Sequence, residues 1–172
     1  MKKLKLSLLG ILALTLAFTG CKEDDPEPQK NIVELAQANP NLSILVQAVV
    51  KAGLANTLSG TGPYTVFAPT NDAFVALLDE LDASSLDDLD SALVRNVLLY
   101  HTLGAKVLAA SLTDGQVVTP LLGGVGNTFE IDLTGGAKII DGNDRVANIT
   151  ATDIEASNGV VHVIDKVILP PL

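Results

Sequence analysis

The chain has very little of what catalysis, metal binding and covalent cross-linking require. Its 172 residues include one cysteine, two histidines, no tryptophan, two tyrosines and four phenylalanines. One cysteine closes no intramolecular disulfide, and with two histidines a zinc site would have to be mostly carboxylate. Basic residues are also scarce, with 11 lysines and arginines against 20 aspartates and glutamates, a net charge of −9. Polyanions are bound by clustered cations that release counterions, so nucleic acid and anionic membrane surfaces are poor partners for this chain. No Gly-x-Ser-x-Gly, His-Glu-x-x-His or Cys-x-x-Cys occurs, and Gly123-Gly124-Val125-Gly126 lacks the lysine and hydroxyl residue of a phosphate loop. No repeat of solenoid length is visible. The sequence therefore reads as a non-enzyme with no cofactor and no metal site.

The first thirty residues are organised differently from the rest. Lys2, Lys3 and Lys5 precede a stretch from Leu6 to Phe18 that carries no charge, followed by Thr19, Gly20 and Cys21. This is the layout of a secretory signal, and it is shorter than the ~20 apolar residues of a membrane-spanning helix. Phe18-Thr19-Gly20-Cys21 resembles the lipobox of bacterial lipoproteins, with Phe18 where that motif prefers leucine. The resemblance implies cleavage after residue 20, lipidation of Cys21, and a membrane partnership made through the lipid. Removing residues 1–20 takes away three lysines and no acid, which moves the net charge from −9 to −12. Residues 22–30 have no apolar side chain and contain two prolines, so residues 21–30 read as a lipidated cysteine and an extended acidic tether. Lys22-Glu23-Asp24-Asp25 resembles the acidic surface-export signal of some outer-membrane lipoproteins. The expected location is the outer membrane, at the cell surface or otherwise facing the periplasm.

From Asn31 the pattern is that of one folded domain, residues 31–172. Asn31 and Glu34 have capping-box spacing before a helix that Pro40 ends, and Ser43 is placed to cap a second helix ending at Gly53. Tyr64 to Ala68 reads as a strand, Thr70 as the cap of a helix carrying Phe74 and Leu77, and Ser85 with Asp88 as the cap of a helix running from Leu89 to Tyr100. Beyond Tyr100 the period changes. Short runs at Val107–Leu108, 116–119, 128–133, 137–140, 146–152 and 159–169 are punctuated by Gly, Asp and Asn, as strands are. Helices followed by strands define an α+β architecture.

Three segments carry a family resemblance. Tyr64-Thr65-Val66-Phe67-Ala68-Pro69-Thr70-Asn71-Asp72-Ala73-Phe74, then Leu99-Tyr100-His101, then the segment from Asn158 to Pro170 resemble, in this order, the signature motifs of the fasciclin (FAS1) domain. The resemblance implies a single β-sandwich or wedge with helices packed around it, in a surface-attached protein that mediates adhesion or binds extracellular protein or glycan. A second reading is a periplasm-facing accessory subunit of an envelope complex. In animal members the positions of Tyr100, His101, Asp153 and Ile154 are linked to adhesion, which makes these four the candidate ligand contacts, although the residues flanking Asp153-Ile154 depart from that motif.

The same motifs have structural readings. Thr70, Asn71 and Asp72 are residue types that satisfy exposed amides at a helix start, and Phe67 and Phe74 are expected to anchor strand and helix in one core. Asn158-Gly159 is a turn signal before the last strand, whose run also holds His162 and Asp165. His162 is expected to be a hydrogen-bonded structural histidine, and His101, at a helix end, to complement the negative end of the dipole. The acids Asp79, Glu80, Asp82, Asp87, Asp88 and Asp90 lack the ligand order of a calcium loop and read as a solvated surface.

Overall fold

The structure, a computed structural model, describes residues 29–171. Residues 1–28, on which the expected signal segment 1–20, Cys21 and most of the expected tether fall, lie outside the described residues. Two strands that share no sequence neighbourhood organise the domain: β1 (Tyr64–Pro69) and β7 (Gly159–Ile164) pair in parallel from Tyr64↔Gly159 to Pro69↔Ile164. Both are buried along almost their whole length. That is why neither alternates cleanly between apolar and polar residues, since a strand covered on both faces has no side to give to water.

One face of this pair is covered by helices. These are α1 (Ile32–Ala38), α2 (Ser43–Lys51), the single turn α3 (Ala55–Leu58), α4 (Asn71–Glu80) and α5 (Ser91–Tyr100). Leu45, Ala48, Phe74, Leu77, Val94, Val97 and Leu98 from the helices meet Val66, Ala68 and Val161 from the strands in one core. The other face is covered by the sheet itself. Strands β2 (Thr102–Leu103), β3 (Gln116–Val118), β4 (Phe129–Asp132), β5 (Lys138–Ile140) and β6 (Val146–Ala156) complete a seven-stranded sheet in the order β2-β1-β7-β6-β5-β4-β3, antiparallel except for β1–β7. Phe67 on β1 and Phe129 on β4 stand four places apart in that order, which in a flat sheet is about 19 Å at ~4.8 Å per strand. Their ring centroids are 5.5 Å apart, so the sheet curls onto itself and encloses a second core of Phe67, Tyr100, Leu103, Ile131, Ile139, Ile164 and Ile168.

Local differences from the sequence reading have identifiable causes. The Asn31–Glu34 capping box forms as expected, with both reciprocal bonds present. Ser43 does not cap α2, because the preceding Pro40–Leu42 turn winds directly into it. The Asn71 side chain arrives from the start of α4 instead, and its Oδ1 accepts the Ile44 N–H at 3.0 Å. The Ser85–Asp88 box heads only the 3-10 turn Leu86–Asp88; Leu89 is extended, and Asp90 starts α5 by accepting from Ala92 and Leu93. Phe67 and Phe74 enter different cores because adjacent positions of β1 point to opposite faces and α4 covers only one of them. Val107–Leu108 forms no strand, and the chain beyond Ile164 continues without strand structure as a buried coil through Val167 and Ile168.

Candidate functional site

Tyr100 and His101 end α5 and point inward. Tyr100 has no solvent exposure; its hydroxyl donates to the Thr128 carbonyl at 2.6 Å and accepts the Gly142 N–H at 3.1 Å, and burial pushes its pKa up. The buried His101 bridges the helix to the C-terminal coil. Its Nδ1–H donates to the Val97 carbonyl at 2.7 Å, and its Nε2 accepts the Ile168 N–H at 3.1 Å. Burial lowers its pKa to about 4, outweighing the Val97 carbonyl and the Asp141 carboxylate, which favour the cation. The ring is therefore neutral at pH 7. It does satisfy a last-turn carbonyl, as a neutral donor rather than the dipole-complementing cation expected from its position.

Asp153 and Ile154 lie on the outward bulge of β6, where the register with β7 shifts between Ala151 and Ile154. Asp153 is exposed and left-handed, with φ of +57°, and half-buried Ile154 packs on the helical core. The bulge is pinned from both sides. Asp153 donates its N–H to His162 Nδ1 at 3.2 Å, and its Oδ1 accepts the Ala109 N–H at 2.8 Å. With Nδ1 accepting, His162 carries its proton on Nε2 and donates it to the Val107 carbonyl at 2.9 Å, while its ring stacks on Phe67 at 5.4 Å. Thr65 joins the same strap, donating to the Ala105 carbonyl at 2.6 Å and accepting from Val107 at 2.8 Å, and Lys106 reaches Glu155 at 3.2 Å. Residues 105–109 are thereby laced to the sheet beside Asp153. Of the four candidate contacts, the structure places two inside and two at the surface.

The remaining motif residues hold joints. Thr70 accepts the Ala73 N–H at 3.3 Å, Asn71 ties α4 to α2, Asp72 sits in the first turn of α4, and Phe74 is buried beneath it. Asn158 does more than turn the chain. Its Oδ1 accepts the Ile32 N–H at 3.0 Å, and its Nδ2 donates to the carbonyls of Leu58 and Gly60, both at 2.7 Å. Gly159 lies against β1 so closely that a Cβ there would stand 2.0 Å from the Tyr64 carbonyl oxygen. Asp165 accepts from both the backbone and the side chain of Asn148, closing the β6–β7 pair.

The acidic run is used for caps and pairs. Asp88 accepts from Ser84 and Ser85, Asp90 caps α5, Glu80 meets Arg145 at 2.7 Å, and Asp87 lies 3.9 Å from Lys51. Among the described residues no three His, Cys, Asp or Glu side chains gather as a metal site, and every buried polar side-chain atom has a hydrogen-bond partner. Two features escaped the sequence reading. Asp141 is a buried carboxylate that accepts from the backbone of Asn143, Arg145 and Leu169; the Asp-Gly-Asn-Asp run announces a turn but not its burial. The other is a cavity of about 240 Å³ between α4 and α5, lined by Leu77, Leu81, Leu86, Leu89, Leu93 and Val97 among others, all of them apolar. Those leucines read as ordinary core periodicity.

A curled seven-stranded sheet has helices over one face of its parallel β1–β7 pair, and the motif residues lie at the joints between these elements. Residues 40–170 match the fasciclin domain family, and the chain belongs to it. It is 44% identical over 144 residues to protein sll1483 of Synechocystis sp., covering 82% of this chain and 74% of that one. It is 32% identical over 155 residues to the cell surface glycolipoprotein MPB83 of Mycobacterium bovis, covering 83% of this chain and 62% of that one. Among solved structures, a FAS1 domain pair from the insect cell adhesion molecule fasciclin I superposes with a TM-score of 0.66 at 18% identity, covering 83% of this chain and 51% of that one, a likeness of fold. One of these relatives is thus named as a cell-surface protein. Among the described residues no helix is long and apolar enough to cross a membrane.

Proposed function

We propose that this protein is an envelope- or surface-anchored lipoprotein, held through Cys21, whose fasciclin domain mediates adhesion or binds an extracellular protein or glycan. The observation that carries the reading is the bulge at Asp153. A solvent-facing carboxylate and a half-buried isoleucine are fixed by His162 and Ala109 on a rigid sheet, so a partner meets a surface whose ordering entropy is already spent. The interior agrees with that reading: both histidines are buried and hydrogen-bonded at both ring nitrogens, so both serve the fold and neither is a free base. Kinship with a cell surface glycolipoprotein agrees with it.

The test separates anchor from domain. Cells carrying the N-terminal 30 residues fused to an inert reporter are compared with cells carrying the whole chain. Loss of attachment or ligand retention with the reporter is the expected result, together with protease sensitivity of the domain on intact cells. Unchanged attachment overturns the adhesion reading. A domain that is protected on intact cells and co-purifies in fixed ratio with one envelope protein would establish the accessory-subunit reading instead.

A further inference from the structure

We propose that the cavity between α4 and α5 is a binding site for one alkyl chain bearing an uncharged or cationic head group, independent of the Asp153 surface. Protein interiors hold few voids larger than a water molecule, and a dry apolar cavity of ~150 Å³ is already enough to take up benzene. This one measures about 240 Å³ and presents no polar lining atom. A sugar, nucleotide or peptide backbone would lose its hydrogen bonds to water there without replacement, which leaves hydrocarbon as the chemistry of the buried part. The volume suits a single chain rather than a protein helix, whose docking needs a groove open over several turns. Access exists: Leu81 and Leu93, both lining residues, are each 44% exposed.

The surrounding charge selects the head group. Residues 79–90 supply six carboxylates and no lysine or arginine, interleaved with lining residues Leu81, Leu86 and Leu89. Glu80 is matched by Arg145 and Asp87 by Lys51, while Asp88 and Asp90 are committed to caps; Asp79 and Asp82 have no ion pair among the described residues. A carboxylate or phosphate at the mouth would meet this field as a like charge, whereas a hydroxyl, ester or ammonium would not.

The experiment is a displacement titration of Nile red from the purified protein by decanol below its solubility limit and by decylamine and decanoate below their micellar concentrations. Decanol and decylamine are expected to displace the dye saturably at one per chain, with decanoate at least tenfold weaker and the amine–acid gap shrinking at 1 M salt. Leu93→Trp fills the mouth from an exposed position and should abolish displacement; Leu81→Trp does the same if the first variant disturbs folding, which circular dichroism reports. Asp79→Asn with Asp82→Asn should narrow the decanoate penalty and leave decanol unchanged. Absence of saturable binding, decanoate binding as tightly as decylamine, or full binding in both tryptophan variants overturns the proposal. So does dye binding that appears only after Cys21→Ser, since the cavity would then be held by the chain's own lipid, and so does a decanol-sensitive dimer, since a second copy would then fill it.

Discussion

The imidazole of His162 on β7 holds the backbone of Asp153 on β6 in the left-handed region, accepting its N–H at 3.2 Å across the sheet bulge. Non-glycine residues seldom occupy that region without local compensation, and aspartate and asparagine tolerate it best. The same ring donates to Val107, so one buried side chain sets both the bulge and the strap beside it. Replacing His162 with leucine keeps the bulk against Phe67 but strands the Asp153 N–H and the Val107 carbonyl. A loss of ~2–4 kcal/mol is expected by denaturant unfolding, at ~1–3 kcal/mol per orphaned buried group. Faster amide exchange over residues 105–109 should accompany it. Asp153→Asn, which keeps both the acceptor and the tolerance of positive φ, should cost under ~1 kcal/mol, whereas Asp153→Val should cost more than either contact alone. A His162→Leu protein as stable as the parent would show that the ring is a filler and not a clamp.

Gly159 is required by proximity rather than by flexibility. It pairs with Tyr64 at the start of the parallel ladder, and a methyl group there would overlap the Tyr64 carbonyl, which is backbone and has nowhere to go. Gly159→Ala is expected to cost more than ~4 kcal/mol, the range reserved for substitutions that break a buried framework. Gly53, with φ of +67° and nothing within 4 Å of its notional Cβ, is the control. Gly53→Ala should cost only ~1 kcal/mol, the ordinary penalty for a left-handed alanine. Thermal unfolding of the two variants side by side measures the difference, and equal costs would contradict the close-approach argument.

The capping of α2 offers a sharper comparison, because sequence and structure assign it to different residues. Asn71 accepts the Ile44 N–H from 27 positions away and donates to the Pro40 carbonyl at 2.9 Å, so it joins two helices and a turn. Asn71→Ala should cost ~1–2 kcal/mol, at or above the usual value for a lost cap. Ser43→Ala should fall within ~0.5 kcal/mol, as surface substitutions do. Equilibrium urea unfolding with a shared slope decides between them; the reverse ranking would restore Ser43 as the cap.

That exchange of roles illustrates what the amino-acid string discloses. Contacts made within one turn of chain are legible: the Asn31–Glu34 box and the Thr70 cap depend on neighbours three residues away, and the strand at Tyr64 to Ala68 is legible from its β-branched and aromatic residues, though not its partner. The helical first half and strand-rich second half follow from the change of hydrophobic period, and the motif triplet supplies the family. What stays hidden is long-range. Asn158 has the spelling of a turn residue, yet its side chain bonds partners about a hundred residues distant. His162 is identifiable as hydrogen-bonded by its place in a strand, but not that its partners are Val107 and the Asp153 backbone. Phe67 and Phe74 are both plainly core residues; that they serve two cores depends on the sheet curling, which no seven-residue pattern encodes. Of the four candidate contacts, Tyr100 shares a predicted helix face with Leu89, Leu93 and Val97 and so is legible as a core residue, whereas the spacing gives no sign that His101 faces inward.

His101 makes stability depend on pH in a direction set by its burial. Its pKa is about 4 in the folded protein, against an ordinary value of 6.5. Between those values the unfolded chain binds a proton that the folded chain refuses, so stability is at its full value above pH 6.5 and declines as the pH falls toward 4, where the loss levels off. At ~1.4 kcal/mol per pKa unit the loss is roughly 3 kcal/mol, a large share of a typical domain's ~5–15 kcal/mol. Carboxylates also titrate in this range, so the measurement that isolates the histidine is the difference in slope between the parent and His101→Gln, each unfolded in urea at intervals from pH 7.5 to 4. The variant should be less stable than the parent at pH 7.5, where it lacks the paired bonds to Val97 and Ile168, and should lose less as the solution is acidified. Parallel stability curves for the two proteins would mean that His101 accepts a proton without leaving its site, and that the buried end of α5 is wetter than its packing implies.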